Sequence, residues 1–156
     1  MPGPYLIAAL FCERVLQEQD GVLSAIRIID QTVHTVAGPG ADVPGEMPPM
    51  LVAVTALIML KPGDARGRYT IRIRPEKPSG EQMPPLEAPV RFEGGEGDRG
   101  ANLIVPIQMQ VEDEGLYWFD VLWVDERAPK DQQETLLSRI PLRVVYQPLR
   151  LPPTSA

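Results

Sequence analysis

The sequence predicts an all-β domain, an antiparallel β-sandwich of about eight strands with Pro/Gly-rich loops. Three observations carry that expectation. The 18 prolines and 13 glycines divide the 156 residues into short segments, and both residue types are unfavourable inside helices. Several segments alternate apolar and polar residues, the two-residue period of a strand with one buried face. No long helical period intervenes, so the order of elements is that of a sandwich rather than of alternating β and α units.

The first element follows from Asp20-Gly21, a dipeptide that accepts positive φ and suits a tight hairpin. It joins a strand over residues 6–16 to one over residues 22–36. A two-residue turn would pair positions whose numbers sum to 41, setting Cys12 opposite Ile29 and His34 near Ile7. A helix competes for the first segment, because Leu6, Ile7, Leu10, Phe11 and Val15 also recur at helical spacing; the hairpin is preferred.

Residues 37–49 read as a loop, since their glycines and prolines interrupt pairing. Residues 50–60 are apolar on both alternating faces, as in a central strand covered on both sides or a strand at an oligomer contact. After a turn at 61–67, Tyr69, Ile71 and Ile73 alternate with Thr70, Arg72 and Arg74, a strand with one buried and one wet face. A Pro-rich connection over 75–89 leads to a short strand at 90–93. Leu103, Val105, Ile107, Met109 and Val111 alternate with polar positions and with Pro106, which cannot donate to a ladder and marks an edge strand or a bulge. Residues 116–124 are apolar on both faces except Asp120, so this strand is central. Residues 125–134 form a hairpin loop or one helical turn, and 140–146 form the last strand. One domain thus spans 1–147, followed by a flexible tail at 148–156.

The run Asp113-Glu114-Gly115-Leu116-Tyr117-Trp118-Phe119 refines the class. In immunoglobulin-like sandwiches a tyrosine two residues before an inward core position turns its hydroxyl back onto the preceding corner. Tyr117 takes that place here and Phe119 the core position, so the sandwich is expected to be immunoglobulin-like or C2-like. Together with the opening YLIAALFCERVLQEQDGVLSAIRIIDQTV and the close LLSRIPLRVVY, this run resembles a family of uncharacterised bacterial domains of unknown function. The resemblance implies a cytoplasmic, antiparallel sandwich-like domain and transfers no activity and no site residues.

Charge excludes two partner classes. A net charge of -6 and a pI near 4.8 oppose binding to nucleic acid or anionic lipid, both of which need local positive potential. Cys12 is the single cysteine, so no intrachain disulfide can form and nothing calls for an oxidising compartment. The apolar stretch 5–12 has no preceding Lys or Arg, unlike a signal peptide. The uncharged run 47–60 falls short of the roughly 20 residues a membrane helix needs. A cytoplasmic protein without membrane contact is expected.

Motifs of chemistry are few. Gly95-Glu96-Gly97-Asp98-Arg99-Gly100 fits GxGxxG, but a strand containing Pro106 follows where a phosphate-binding helix should start, and its acids repel phosphate. His34 is the single histidine, which removes multi-histidine metal sites. Cys12 reads as a small buried hydrophobe rather than a nucleophile. Glu112, Asp113 and Glu114, with Asp125 and Glu126, would make an oxygen-ligand calcium site only if the fold joined their loops; a solvated run is the simpler reading. Asp120 interrupts an apolar strand and needs a cation, with Arg143 or Arg27 as candidates. Arg68, Arg72 and Arg74 share one strand face as a local basic stripe. No catalytic, cofactor or metal residues are assigned.

The function these features favour is a noncatalytic protein-interaction or assembly module of unknown pathway, whose protein partner is not named by the sequence and for which a homodimer is one form of contact. Its candidate interface comprises Trp118 and Trp123, on opposite faces of one strand, with Arg68, Arg72 and Arg74, since aromatic and arginine side chains anchor interfaces. A small-ligand or carbohydrate-binding sandwich is the alternative, and a hydrolase built on His34 a distant third. Asp20, Gly21, Asp113, Gly115, Tyr117, Phe119 and Asp120 are expected to be structural.

Overall fold

A computed structural model describes residues 3–94 and 99–152. They form β1 (Tyr5–Gln17), β2 (Leu23–Ile29), β3 (Gln31–Pro39), β4 (Met50–Lys61), β5 (Gly67–Glu76), β6 (Leu86–Phe92), β7 (Ala101–Val111), β8 (Gly115–Val124) and β9 (Glu134–Leu151). The sheets are β2-β1-β4-β7 and β3-β9-β8-β5-β6. All neighbours pair antiparallel except β3 and β9, which are parallel.

The core lies between the sheets. Val52, Val54, Ala56, Ile58 and Leu60 of β4 meet Ile71 and Ile73 of β5 and Tyr117, Phe119, Val121 and Trp123 of β8 in one buried cluster. Its centre is an edge-to-face contact across the layers, Phe11 against Phe119 with ring centroids 4.8 Å apart. Phe119 thus fills the expected core position. Tyr117 is fully buried and its hydroxyl donates to the carbonyl of Asp113 at 2.8 Å, closing the predicted corner. Gly115 opens that corner at φ 132, and Pro78 lies 3.0 Å from where a Cβ would stand.

The first segment is a strand, and the hairpin forms at Asp20-Gly21, but with a register one residue off. Phe11 pairs with Ile29 and Cys12 with Ile28. The loop holds three residues, not two: the Gly21 amide donates to the Glu18 carbonyl, Gly21 sits at φ 84, and the Val22 amide donates to Asp20 Oδ1. A type I turn followed by a left-handed glycine adds the extra residue.

Further expectations are corrected. Residues 22–36 do not form one strand: the chain leaves the first sheet at Asp30, whose carbonyl accepts from the Arg143 amide, and β3 joins the second sheet. His34 therefore pairs with Tyr146 rather than lying near Ile7. Residues 148–151, expected in a flexible tail, continue β9 because β3 supplies ladder partners as far as Pro39 opposite Leu151. Residues 37–39 lie in β3, and the remaining loop is tied down where the Tyr146 hydroxyl donates to the Pro44 carbonyl at 2.8 Å. The count is nine strands rather than eight. Residues 130–132 supply the helical turn expected between β8 and β9, and β7 with Pro106 is an edge strand, as its missing donor requires.

Candidate functional site

Strand pleating fixes what the four-stranded sheet shows on its outer side. The even-numbered residues of β4 enter the core, so Leu51, Ala53, Thr55, Leu57 and Met59 point away from it. Ile107, Met109 and Val111 of β7 are likewise internal, which turns Ile104, Pro106, Gln108 and Gln110 outward. Cys12 and Leu10 of β1 and Ile28 of β2 extend this face, with Cys12 register-paired to both Ile28 and Thr55. Ile28 is 67% exposed, Leu51 62% and Ile104 47%, whereas Leu57 and Cys12 beside them are buried. The outward residues from Ala8 to Cys12, from Leu51 to Met59 and from Ile104 to Gln110 carry no charge; Arg14 and Lys61 lie toward opposite ends. The double-sided apolarity of 50–60 pointed to this face. The adjacent pair Ile28-Ile29, which splits between solvent and core, was the available signal for β2.

The outer side of the five-stranded sheet is ionic. Arg72 pairs with Glu87 and Glu134, and Arg74 reaches Glu134 at 3.4 Å and Asp120 at 3.8 Å. Arg139 donates to Asp120 at 2.8 Å and to Glu76 at 2.9 Å while its guanidinium lies 5.2 Å from the centre of the Trp118 ring. The predicted basic stripe is thus neutralised at Arg72 and Arg74, because neighbouring strands bring carboxylates into register with it. The hydrogen bond that Arg72 donates to Glu87, and the charge of that carboxylate, hold the Arg72 guanidinium's pKa above its ordinary value. Asp120 does need cations, but they are Arg139 and Arg74 rather than Arg143 or Arg27; Arg27 pairs with Glu13 on the other sheet. Arg139 stands directly opposite Asp120 in the β8–β9 register, a pairing invisible before strand order is known.

The tryptophans separate as expected. Trp123 is internal, stacked on Tyr69 with centroids 4.0 Å apart, and Trp118 is external under Arg139. A sugar-stacking platform needs an open aromatic face, which the buried Trp123 does not offer.

Other candidates stay apart. Cys12 on β1 is buried, and burial pushes its thiol pKa up, away from the reactive thiolate. His34 is on β3 in the other sheet, with Nε2 3.1 Å from Thr32 Oγ1. Glu112, Asp113 and Glu114 precede β8, whereas Asp125 and Glu126 follow it, so the strand holds the two acidic groups about 30 Å apart. That separation rules out their shared calcium site. Glu114 instead accepts from the Tyr146 amide, and Asp125 holds Arg127. Gly95 to Asp98 of the glycine motif lie outside the described residues. Among the described residues no helix is long and apolar enough to cross a membrane.

No curated protein matches the sequence. A family model does match, over residues 7–145, which takes in β2 to β8 whole and most of β1 and β9. The chain therefore belongs to DUF6941, a family of unknown function.

Proposed function

We propose that this chain is a noncatalytic interaction module that self-associates through the outer face of its four-stranded sheet. The observation that carries the proposal is the uncharged, apolar surface built by Ile28, Leu51, Met59 and Ile104 in a chain of net charge -6. Exposed apolar patches of this kind mark contact sites. The occupant we assign is a second copy. Two molecules of like net charge approach best through a face without carboxylates. Asn102, Gln108 and Gln110 along the β7 side both donate and accept, so they suit a two-fold contact in which each patch meets its own image.

Strand order supports an immunoglobulin-like topology. β1, β4 and β7 neighbour one another as strands A, B and E do, and β5, β8 and β9 as C, F and G do. The tyrosine corner at Tyr117 stands on the strand in the F place. These features favour the immunoglobulin-like over the C2-like reading, with the β1–β2 hairpin as an addition. A lone buried thiol needs no oxidising compartment, and a cytoplasmic setting belongs to the same proposal.

Light scattering on a dilution series tests the association. The wild type is expected to be dimeric at high concentration and to dissociate on dilution. Ile28→Glu replaces an exposed side chain and removes apolar burial worth about 1.5–3 kcal/mol, weakening the dimer by at least about tenfold. A wild type that is monomeric throughout, or an unaffected Ile28→Glu dimer, would overturn the proposal.

A further inference from the structure

One arginine of the β5 stripe was left over when the other two found carboxylates. Arg68 makes no ion pair or hydrogen bond among the described residues, and its register partner across the β5–β6 ladder is Arg91. Like charges directly opposite on adjacent strands are destabilising unless an anion joins them. Among the described residues Arg91 pairs with Glu93 alone, at 3.9 Å, and both side chains are exposed.

Beside Arg68 runs a groove of about 280 Å³. Its floor is one row across three strands, Val124 of β8, Thr70 of β5 and Pro89 of β6, which are mutually in register. Arg68 stands one outward position further along β5. Glu126 and Arg127, from the loop after β8, complete the lining with Tyr69. Arg127 is already fixed: Nε donates to Asp125 at 3.1 Å, Nη2 donates to the Arg66 carbonyl at 3.3 Å, and the guanidinium lies 4.6 Å from the Tyr69 ring centre. That ring is in turn stacked on Trp123. The groove thus combines one preorganised guanidinium, one guanidinium without a partner among the described residues, a hydroxyl and an apolar floor. The lining residues Arg68, Arg127 and Glu126 sum to +1 in a chain of -6, and Asp125, just outside the lining, balances Arg127, so Arg68 is the cation open to a ligand.

We infer that this groove binds a carboxylate side chain presented by an acidic peptide segment of a partner protein. The guanidinium of Arg68 receives the carboxylate in a bidentate fork, and Val124 and Pro89 take the methylene stem that a bare inorganic anion lacks. The site lies on the sheet opposite the self-association face and does not depend on it.

Fluorescence anisotropy with a labelled octaglutamate peptide tests the site on the full chain at about 50 mM NaCl, where screening is weak. Saturable binding is expected, with none for the corresponding glutamine peptide. Arg68→Glu should weaken it about tenfold or more with a melting temperature no lower than that of the wild type, since the new carboxylate would face Arg91 as an opposite charge. Arg27→Glu, the same charge change on the other sheet, should leave it within about twofold. Absence of saturable binding, equal losses in the two variants, or an Arg68→Glu variant that binds like wild type would overturn the inference. Displacement of the peptide by micromolar glutarate would overturn it too, reassigning the groove to a small dicarboxylate.

Discussion

Phe119 and Tyr117 show how single side chains hold the two layers in register. Phe119 is wholly buried against Phe11, so Phe119→Ala opens a cavity between the sheets and should cost about 3–5 kcal/mol, read from the urea midpoint. Tyr117→Phe keeps the ring and removes only the hydroxyl that donates to the Asp113 carbonyl, a loss of about 1 kcal/mol at neutral pH. The two variants separate packing from hydrogen bonding at adjacent inward positions of one strand.

The same tyrosine sets an alkaline limit. Burial raises the Tyr117 pKa above 10.0. Above pH 10 the folded state therefore keeps a proton that the unfolded chain releases. The stability this group contributes is fully present below about pH 10 and is lost as pH rises through its raised folded value. Urea midpoints at about pH 9 and pH 11 should fall less in Tyr117→Phe than in wild type. Equal falls would place the alkaline sensitivity elsewhere. The corner was legible in the sequence because it is local, spanning only Asp113 to Phe119.

At the scale of elements, legibility followed sequence distance. The strand around Tyr69, Ile71 and Ile73 and the edge position of Pro106 came from local alternation and from proline's missing donor, and both hold. The first hairpin was visible in Asp20-Gly21, yet its register turned on whether Gln19 belongs to the loop, a choice made by backbone hydrogen bonds at Glu18. The break at Asp30 had no glycine or proline to announce it. The parallel pairing of β3 with β9 joins segments over a hundred residues apart and left no local trace.

Partnerships across strands were equally hidden. The need of Asp120 for a cation could be read from an apolar strand, but Arg139 as its partner follows only from the β8–β9 register. Asp120 is mostly shielded and accepts a 2.8 Å bond from Arg139. A double-mutant cycle with Asp120→Asn and Arg139→Gln should therefore give a coupling of about 1 kcal/mol, above the usual value for exposed pairs. Coupling near zero would mean that Arg74 and Glu76 compensate fully for the lost pair.

The whole molecule presents two dissimilar outer faces. One sheet shows an ionic lattice of Arg72, Arg74, Arg139 and their carboxylates, ending in the groove at Arg68; the other shows a central patch of apolar and amide side chains, with charges only toward its ends. The apolar run at 50–60 announced the second face in the sequence, because an alternating strand whose both sides are apolar must have something to cover each side. The core covers one side. A second copy is proposed to cover the other.

Hydroxyl-radical footprinting across a range of protein concentration tests that claim most directly, since it reads the side chains themselves. Oxidation of Ile28, Leu51, Met59 and Ile104 should fall as concentration rises, while exposed Leu136 on the five-stranded sheet keeps its rate. Oxidation of all five residues at rates independent of concentration would contradict it.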